Sequence, residues 1–524
     1  MVPVSMPAKP VRRTIWVDVE DLFQYALANP RPSGIQRLVF EILRVLPDRA
    51  ARQPGAPRIA FVRHDDGPDL LREVPFTEVA VLFERLSEGQ GGKPEAAIPP
   101  PRPPAPRVRQ GRPLLQRLRF GLIYRLQKLP PRTSETLLQA AVLQMNVLRT
   151  GRRGLALWRD RRQAGAPPSA APTVASPISP PVPTSSGAQA GAAAMPATAP
   201  SLPALPGDVF LVLGAPWVHA DYAGLLRQLR QHHGMRPALL LYDLIPLRRP
   251  EWCARDLVQS FRQWVETVLP ECPRLMAISH ATARDVEAYA AEAGLALEAP
   301  VRPIPIGTGF GLVGQADRLA SSRPRGLPRP GSYVLFVSTL EARKNHALLF
   351  RVWRRLLSEM PREQVPTLVF AGRVGWLVAD LMQQLENAEW LGGKIRLVRD
   401  PSDEELLALY RGCRFTLFPS LFEGWGLPVS ESLALGRPCI ASNRTSLPEA
   451  GGALARYFDP DDLDDACATI RAVIEDPEGL EAWRERVARE FRHVPWSDSA
   501  DAILEGVLAL PAQAAGPAAL GQPA

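Results

Sequence analysis

From Asp208 onward the chain alternates between short apolar runs and longer stretches whose apolar residues recur every three or four positions. DVFLVLG, ALLLYDLIP and RLMAISH read as buried strands. Tyr222 to His233 and Leu257 to Leu269 have helical spacing. So does Thr282 to Gly294, with Ser and Thr before it as caps. This is the βαβ alternation of a parallel sheet. A second alternation starts at SYVLFVS (332–338) and continues through PTLVFAG, KIRLVRD, RFTLFPS and RPCIASN. The basic Pro/Gly stretch RLASSRPRGLPRPG separates the two. Nearer the start, Thr14 to Val19 predicts a strand, Ile35 to Val45 a helix, and Phe61 opens another extended stretch. The pattern predicts an α/β protein of two doubly wound, Rossmann-like domains with a cleft between the carboxyl ends of their strands. No short internal repeat interrupts it.

The rest of the chain breaks this rhythm. Residues 94–106 (PEAAIPPPRPPAP) are Pro-rich, and 166–206 are Pro, Ala and Ser, read as a disordered linker. Residues 112–165 carry Leu114, Leu115, Leu118, Leu122 and Ile123 at roughly helical spacing, with Arg between them. Pro130 and Pro131 break that pattern, and Leu137 to Leu148 resume it. The expected organisation is a first domain from 13–93 and 207–318, a basic helical insert at 94–206, and a second domain at 331–496. A helix at 497–511 and a disordered tail at 512–524 follow.

Composition sharpens three points. The 56 prolines in 524 residues exceed what a compact domain holds, which supports the linkers. The net charge of +8 is local: 15 Lys or Arg between Arg102 and Arg162 face only Glu135 and Asp160, so the remainder is acidic. Five cysteines without CxxC or metal-ligand spacing fit a reducing compartment. The opening MVPVSMPAKPVRRT lacks a signal-peptide core, and no run of about 18 apolar residues predicts a spanning helix. A cytoplasmic protein is expected.

The chemistry concentrates between Phe418 and Gly452, FPSLFEGWGLPVSESLALGRPCIASNRTSLPEAGG. Glu423 lies in a Gly-rich loop after an apolar strand, and Glu431 just inside the helix that this loop opens. Gly424 and Gly426 allow close backbone approach, and Pro428 suits a first helical turn. Free N–H groups at such a helix start favour a phosphate. Carboxylates accept from hydroxyls, so phosphate plus hydroxyls describes a nucleotide-sugar. A second cluster is VSTLEARKNHALLF, where Arg343 and Lys344 follow a strand and can clamp a diphosphate. Ser402 and Glu405 have capping-box spacing.

These motifs resemble retaining glycosyltransferases of the GT-B fold, in family 4. Glu423 and Glu431 match that family's E-x7-E signature. There the first Glu and the following loop amides hold the donor sugar, and the second Glu binds the ribose. The resemblance therefore implies Glu423, Arg343 and Lys344 as catalytic residues. It implies donor contacts from Glu431, Gly424, Trp425, Gly426, Leu427 and Arg373, the last from AGRVGW. Ser338 stands where the family has Gly, and Glu341-Ala342 where Glu-Pro is common. The loop PRPSGIQRLVFEIL resembles the SGIxR loop of bacterial enzymes that transfer mannose and related sugars into polysaccharides. It implies acceptor-side roles for Gly34 and Arg37. GAPW, YDLIP and SHATARD match the same subgroup, with Asp243 as an acceptor contact and Tyr242 where many members have His. His219 and His280 read as polar loop residues. Trp496 precedes a helix that in GT-B chains crosses back to the first domain.

The resemblance implies a nucleotide-sugar donor, mannose from GDP-mannose first, and a surface glycan or lipid-linked glycan as acceptor. No cofactor and no metal are expected, because Arg, Lys and helix dipoles neutralise the leaving diphosphate. The 112–165 segment has the character of a helix that lies on an anionic membrane surface, placing the protein on the inner face of the cell membrane. A sugar-nucleotide epimerase of the same fold is one rival. A non-catalytic scaffold docked through its basic insert is another. Nucleic-acid binding is not expected, since the basic segment lacks interleaved aromatics.

Overall fold

The computed structural model describes residues 13–87 and 204–510, except 30, 65–70, 220 and 310–325. The basic insert and its linkers, but for residues 204–206, lie outside these residues, as do the 512–524 tail and the first part of the 318–331 linker. Among the described residues no helix is long and apolar enough to cross a membrane.

The first sheet comprises β1 (Thr14–Asp18), β2 (Arg58–His64), β3 (Leu71–Val74), β4 (Val209–Val212), β5 (Arg236–Leu241), β6 (Arg274–Ala277) and β7 (Arg302–Pro303). Its order is β3-β2-β1-β4-β5-β6-β7, parallel except where β3 pairs with β2. All of β1 is buried. Ile15 and Val17 join one core with Leu38, Val39 and Ile42, while Trp16 joins the opposite core with Phe210 and Tyr222. Burial on both faces explains the unbroken apolar runs. The Asp208 carboxylate ties β1 to β4, accepting from Thr14 N at 2.8 Å and Trp16 Nε1 at 3.0 Å.

The second sheet comprises β8 (Tyr333–Val337), β9 (Thr367–Ala371), β10 (Ile395–Val398), β11 (Thr416–Phe418), β12 (Cys439–Ser442) and β13 (Arg456–Phe458). Its order is β10-β9-β8-β11-β12-β13, parallel throughout. Each sheet reverses its winding once, between β1 and β4 and between β8 and β11. A crevice opens beyond the strand ends at such a point. The two sheets bear out the α/β reading of two doubly wound, Rossmann-like domains.

The C-terminal helix Trp496–Leu508 packs on the first sheet's helix Gly34–Ala51, with Ile503, Leu504 and Val507 in the core that holds Leu38 and Ile42. Trp496 Nε1 donates to Gly309 O at 2.8 Å.

Three local boundaries differ from the sequence reading. The Gly34–Ala51 helix runs past Val45 and through Pro47. Burial of Leu46 and Ala50 outweighs the one backbone hydrogen bond that Pro47 removes. After β5 ends at Leu241, the LIP stretch turns into a short helix, Ile245–Arg248. The third helix starts at His280, with Ser279 as N-cap accepting from Thr282 N at 2.9 Å, so Thr282 is inside it.

Candidate functional site

The loops after β8 and β11 leave the switch point of the second sheet side by side. After β8 the chain makes a single tight turn, Ala342–Lys344. Asn345 then takes a left-handed conformation with φ 59°, held by its side-chain donation to Pro460 O at 3.0 Å. That geometry turns Arg343 and Lys344 toward the second loop, where Leu421 N donates to Arg343 O at 2.9 Å.

In the second loop Glu423 is nearly fully buried and held at both ends of its backbone. Its N–H donates to Thr445 Oγ1 at 3.0 Å, and its carbonyl accepts from Ser446 Oγ at 2.9 Å. Its carboxylate accepts from Lys344 Nζ at 2.5 Å and from Arg343 Nη1 at 2.8 Å. Arg343 also reaches Glu341 at 2.8 Å and Phe422 O at 3.0 Å. Burial opposes the charge on Glu423, but the fields of Arg343 and Lys344 and their hydrogen bonds prevail, drawing it to about 2. Burial, with the neighbouring Arg343 charge, draws Lys344 down. Burial pushes Glu341 and Asp243 up, against the pull of Arg343. Glu341 had no role in the sequence reading beyond its place in the loop.

The Gly-rich loop ends in a helix, Leu427–Ala434, with Pro428 in its first turn and Gly426 at φ 105°. Glu431 is buried on this helix and accepts from Tyr410 Oη at 2.9 Å. Burial pushes it up. Tyr410, 21 positions upstream, carries no motif that would have exposed it as this partner. Trp425 Nε1 is buried with no hydrogen-bond partner among the described residues. Ser402 and Glu405 complete both bonds of the capping box.

The two sheets meet at this loop. A Cβ on Gly424 would stand 2.0 Å from the Tyr242 carbonyl oxygen, so only glycine allows the approach. Thr282 Oγ1 lies 3.3 Å from the carbonyls of both Tyr242 and Gly424. Glu449 closes the same seam, accepting from His280 N and Ala281 N at 2.7 Å each. Tyr242 donates its hydroxyl to Leu213 O at 2.5 Å, which gives it a structural role. Asp243 caps its own turn through Ile245 N at 3.0 Å, and the charges of Arg343, Glu423 and Lys344 act on it.

Gly34 and Arg37 stand across a cavity of about 1480 Å³ whose lining includes Ser338, Gly372, Arg373 and Asp403. Leu427 Cδ1 lies 3.4 Å from where a Gly34 Cβ would be. Arg37 makes a two-pronged pair with Asp403 at 2.7 and 3.2 Å, and Arg31 donates to Asp400 O and Pro401 O at 3.0 Å each. Arg373 is exposed at the cavity wall. The structure thus gathers Glu423, Arg343, Lys344, Gly424 and Asp243 in one place. Gly34, Arg37 and Arg373 line the adjoining cavity.

Residues 317–490 match the family described as glycosyl transferases group 1. The serotype-specific mannosyltransferase WbdA of Escherichia coli is 28% identical over 285 residues, 52% of this chain and 34% of that protein. The O-antigen chain mannosyltransferase B of Escherichia coli is 37% identical over 153 residues, 29% of this chain and 38% of that protein. The chain thus spans between about a third and two fifths of the length of these relatives. Among solved structures, an α,α-trehalose-phosphate synthase (UDP-forming) from Burkholderia vietnamiensis aligns with TM-score 0.44 at 15% identity, covering 59% of this chain and 72% of that one. The matched stretch, residues 317–490, contains every residue of the Arg343, Lys344, Glu423 and Glu431 constellation.

Proposed function

We propose that the protein is a retaining glycosyltransferase of family 4 that moves a hexose, mannose from GDP-mannose first, to a growing surface glycan or lipid-linked glycan. The observation that carries the reading is the convergence of Arg343 and Lys344 on Glu423 at the β8–β11 switch point. The names of the two Escherichia coli relatives support mannose as the sugar.

In this reading the donor diphosphate lies against Arg343, Lys344 and the amides of the Gly424 to Leu427 turn. Glu423 is ionised, so it acts as a hydrogen-bond acceptor for donor-sugar hydroxyls and not as an acid. The bond between the anomeric carbon and the phosphate oxygen breaks as these groups take up the growing charge. The acceptor hydroxyl forms the new bond from the same face, and its proton passes to the released phosphate. Glu431 takes the ribose hydroxyls. Arg and Lys supply the charge neutralisation, so the reaction needs no metal and no cofactor. The 112–165 segment brings the protein to the inner face of the cell membrane.

The test is a donor screen. Thermal stabilisation by GDP, UDP, dTDP and ADP is measured first, then turnover of the matching nucleotide-sugars. Stabilisation by one nucleotide and turnover of its sugar conjugate are expected. No stabilisation and no turnover with any of them would remove the proposal.

A further inference from the structure

Ser338 follows β8, and His346 opens the helix His346–Glu359, so the two bracket the Arg343–Lys344 turn. Ser338 is half-buried and lines the cavity of about 1480 Å³ together with Gly372 and Arg373. Its backbone is fixed from both sides. Ser338 N donates to Ala371 O at 3.1 Å, and a Cβ on Gly372 would stand 2.0 Å from Ser338 O. Its Oγ lies 3.3 Å from His346 Nε2.

His346 is only 1% exposed, and its ring packs against Phe336 and Phe370 with centroids 4.4 and 4.8 Å away. Burial, and then the Lys344 charge, draw it down to about 3, so the ring is neutral and carries a single N–H. Its Nδ1 is buried with no hydrogen-bond partner among the described residues. A proton on Nδ1 would leave a buried donor orphaned and force Ser338 to spend its own hydrogen on Nε2. A proton on Nε2 orphans no donor and is given to Ser338 Oγ. Ser338 Oγ is then an acceptor toward His346, and its O–H hydrogen turns to the cavity that the side chain lines.

We infer that Ser338 is a phosphate-binding residue, its hydroxyl hydrogen aimed by the buried His346 at a phosphate oxygen of the nucleotide-sugar. A hydroxyl whose oxygen already accepts has its hydrogen to give, and phosphate oxygens only accept. The start of the His346–Glu359 helix and Lys344, whose charge is felt at His346, add positive potential beside it. The family pattern has Gly at this position, so the hydroxyl adds to the Arg343–Lys344 clamp a contact that Gly cannot make. His346 is a positioning residue that acts through Ser338.

The inference rests on the glycosyltransferase reading, and the experiment separates the two. Full-length protein is titrated calorimetrically with whichever of GDP, UDP, dTDP and ADP stabilises it, and with the corresponding nucleoside. Ser338→Ala should raise the diphosphate Kd about tenfold and leave the nucleoside Kd unchanged, since only the diphosphate meets the hydroxyl. Ser338→Gly should lose as much. His346→Gln, whose side-chain amide still donates to Ser338 Oγ, should keep the diphosphate Kd within about twofold. His346→Leu frees the hydroxyl to turn away, so it should raise that Kd severalfold in the wild-type background but not in Ser338→Ala. A merely structural His346 would cost the same in both backgrounds. Ser338 is half-buried, so its variants carry the test if the buried His346 variants do not fold. An unchanged diphosphate Kd in Ser338→Ala overturns the inference. So does an equal loss for the nucleoside, and so does a His346→Leu loss that adds in full to that of Ser338→Ala. A protein that binds none of the nucleotides overturns the glycosyltransferase reading and the inference with it.

Discussion

Glu423 Oε1 accepts from Lys344 Nζ at 2.5 Å across 79 positions of sequence. The two residues come from the two loops that part at the switch point of the second sheet, so the ion pair exists only once that sheet has formed. Its pH signature has a definite sign. The folded Glu423 pKa, about 2, lies below its ordinary value of 4.5. The stabilisation is therefore complete above about pH 4.5 and is lost as pH falls toward 2. Between pH 5 and 3 the wild-type melting temperature should fall more steeply than that of Glu423→Gln. Parallel slopes would mean that Glu423 is not held as a paired carboxylate.

Lys344→Ala and Arg343→Ala should each slow hexose transfer by about 10²-fold or more, because the charge they neutralise grows as the diphosphate leaves. EDTA should have little effect on the wild-type rate. Activity that disappears with chelator and returns with Mg2+ or Mn2+ would contradict the metal-free mechanism.

Glu431→Ala should weaken nucleotide binding by about 1.5–3 kcal/mol, the loss of a charge-assisted hydrogen bond. Tyr410→Phe should cost less, about 0.5–1.5 kcal/mol, since it only loosens the carboxylate. Titration calorimetry with the stabilising nucleoside diphosphate measures both. An unchanged Kd in Glu431→Ala would remove the ribose role.

Gly424→Ala should force the contact between the two sheets apart, since the new Cβ would fall 2.0 Å from the Tyr242 carbonyl oxygen. Transfer should drop at least about tenfold while each sheet still folds, because the clash lies at the seam and not in a core. A wild-type rate would show that the seam opens during turnover.

How much of this was legible in the sequence depended on how local each signal is. The strands were readable because burial on both faces leaves unbroken apolar runs such as TIWVD and YVLFV. Arg343, Lys344, Glu423 and Glu431 stood out because each lies inside a short loop or helix motif with its own spacing. Arg37 met Asp403 from 366 positions away, a partner no local pattern specifies. The helix beyond Val45 was hidden by Pro47, whose local preference was outweighed by tertiary burial of Leu46 and Ala50.

The 112–165 segment yields a separate expectation. Binding to anionic liposomes should fall with added salt and with deletion of 94–206, each basic residue near the surface contributing about 1 kcal/mol. A full-length protein that ignores such liposomes at low salt would exclude the membrane role.

The most direct test of the central claim follows GDP-mannose by proton NMR in the presence of EDTA, with wild type and Lys344→Ala side by side. Wild type should release GDP together with a mannosyl product that first appears with the anomeric configuration of the donor, and the variant should release almost none. A product of inverted configuration, or no cleavage of GDP-mannose or any other nucleotide-sugar, would contradict the account.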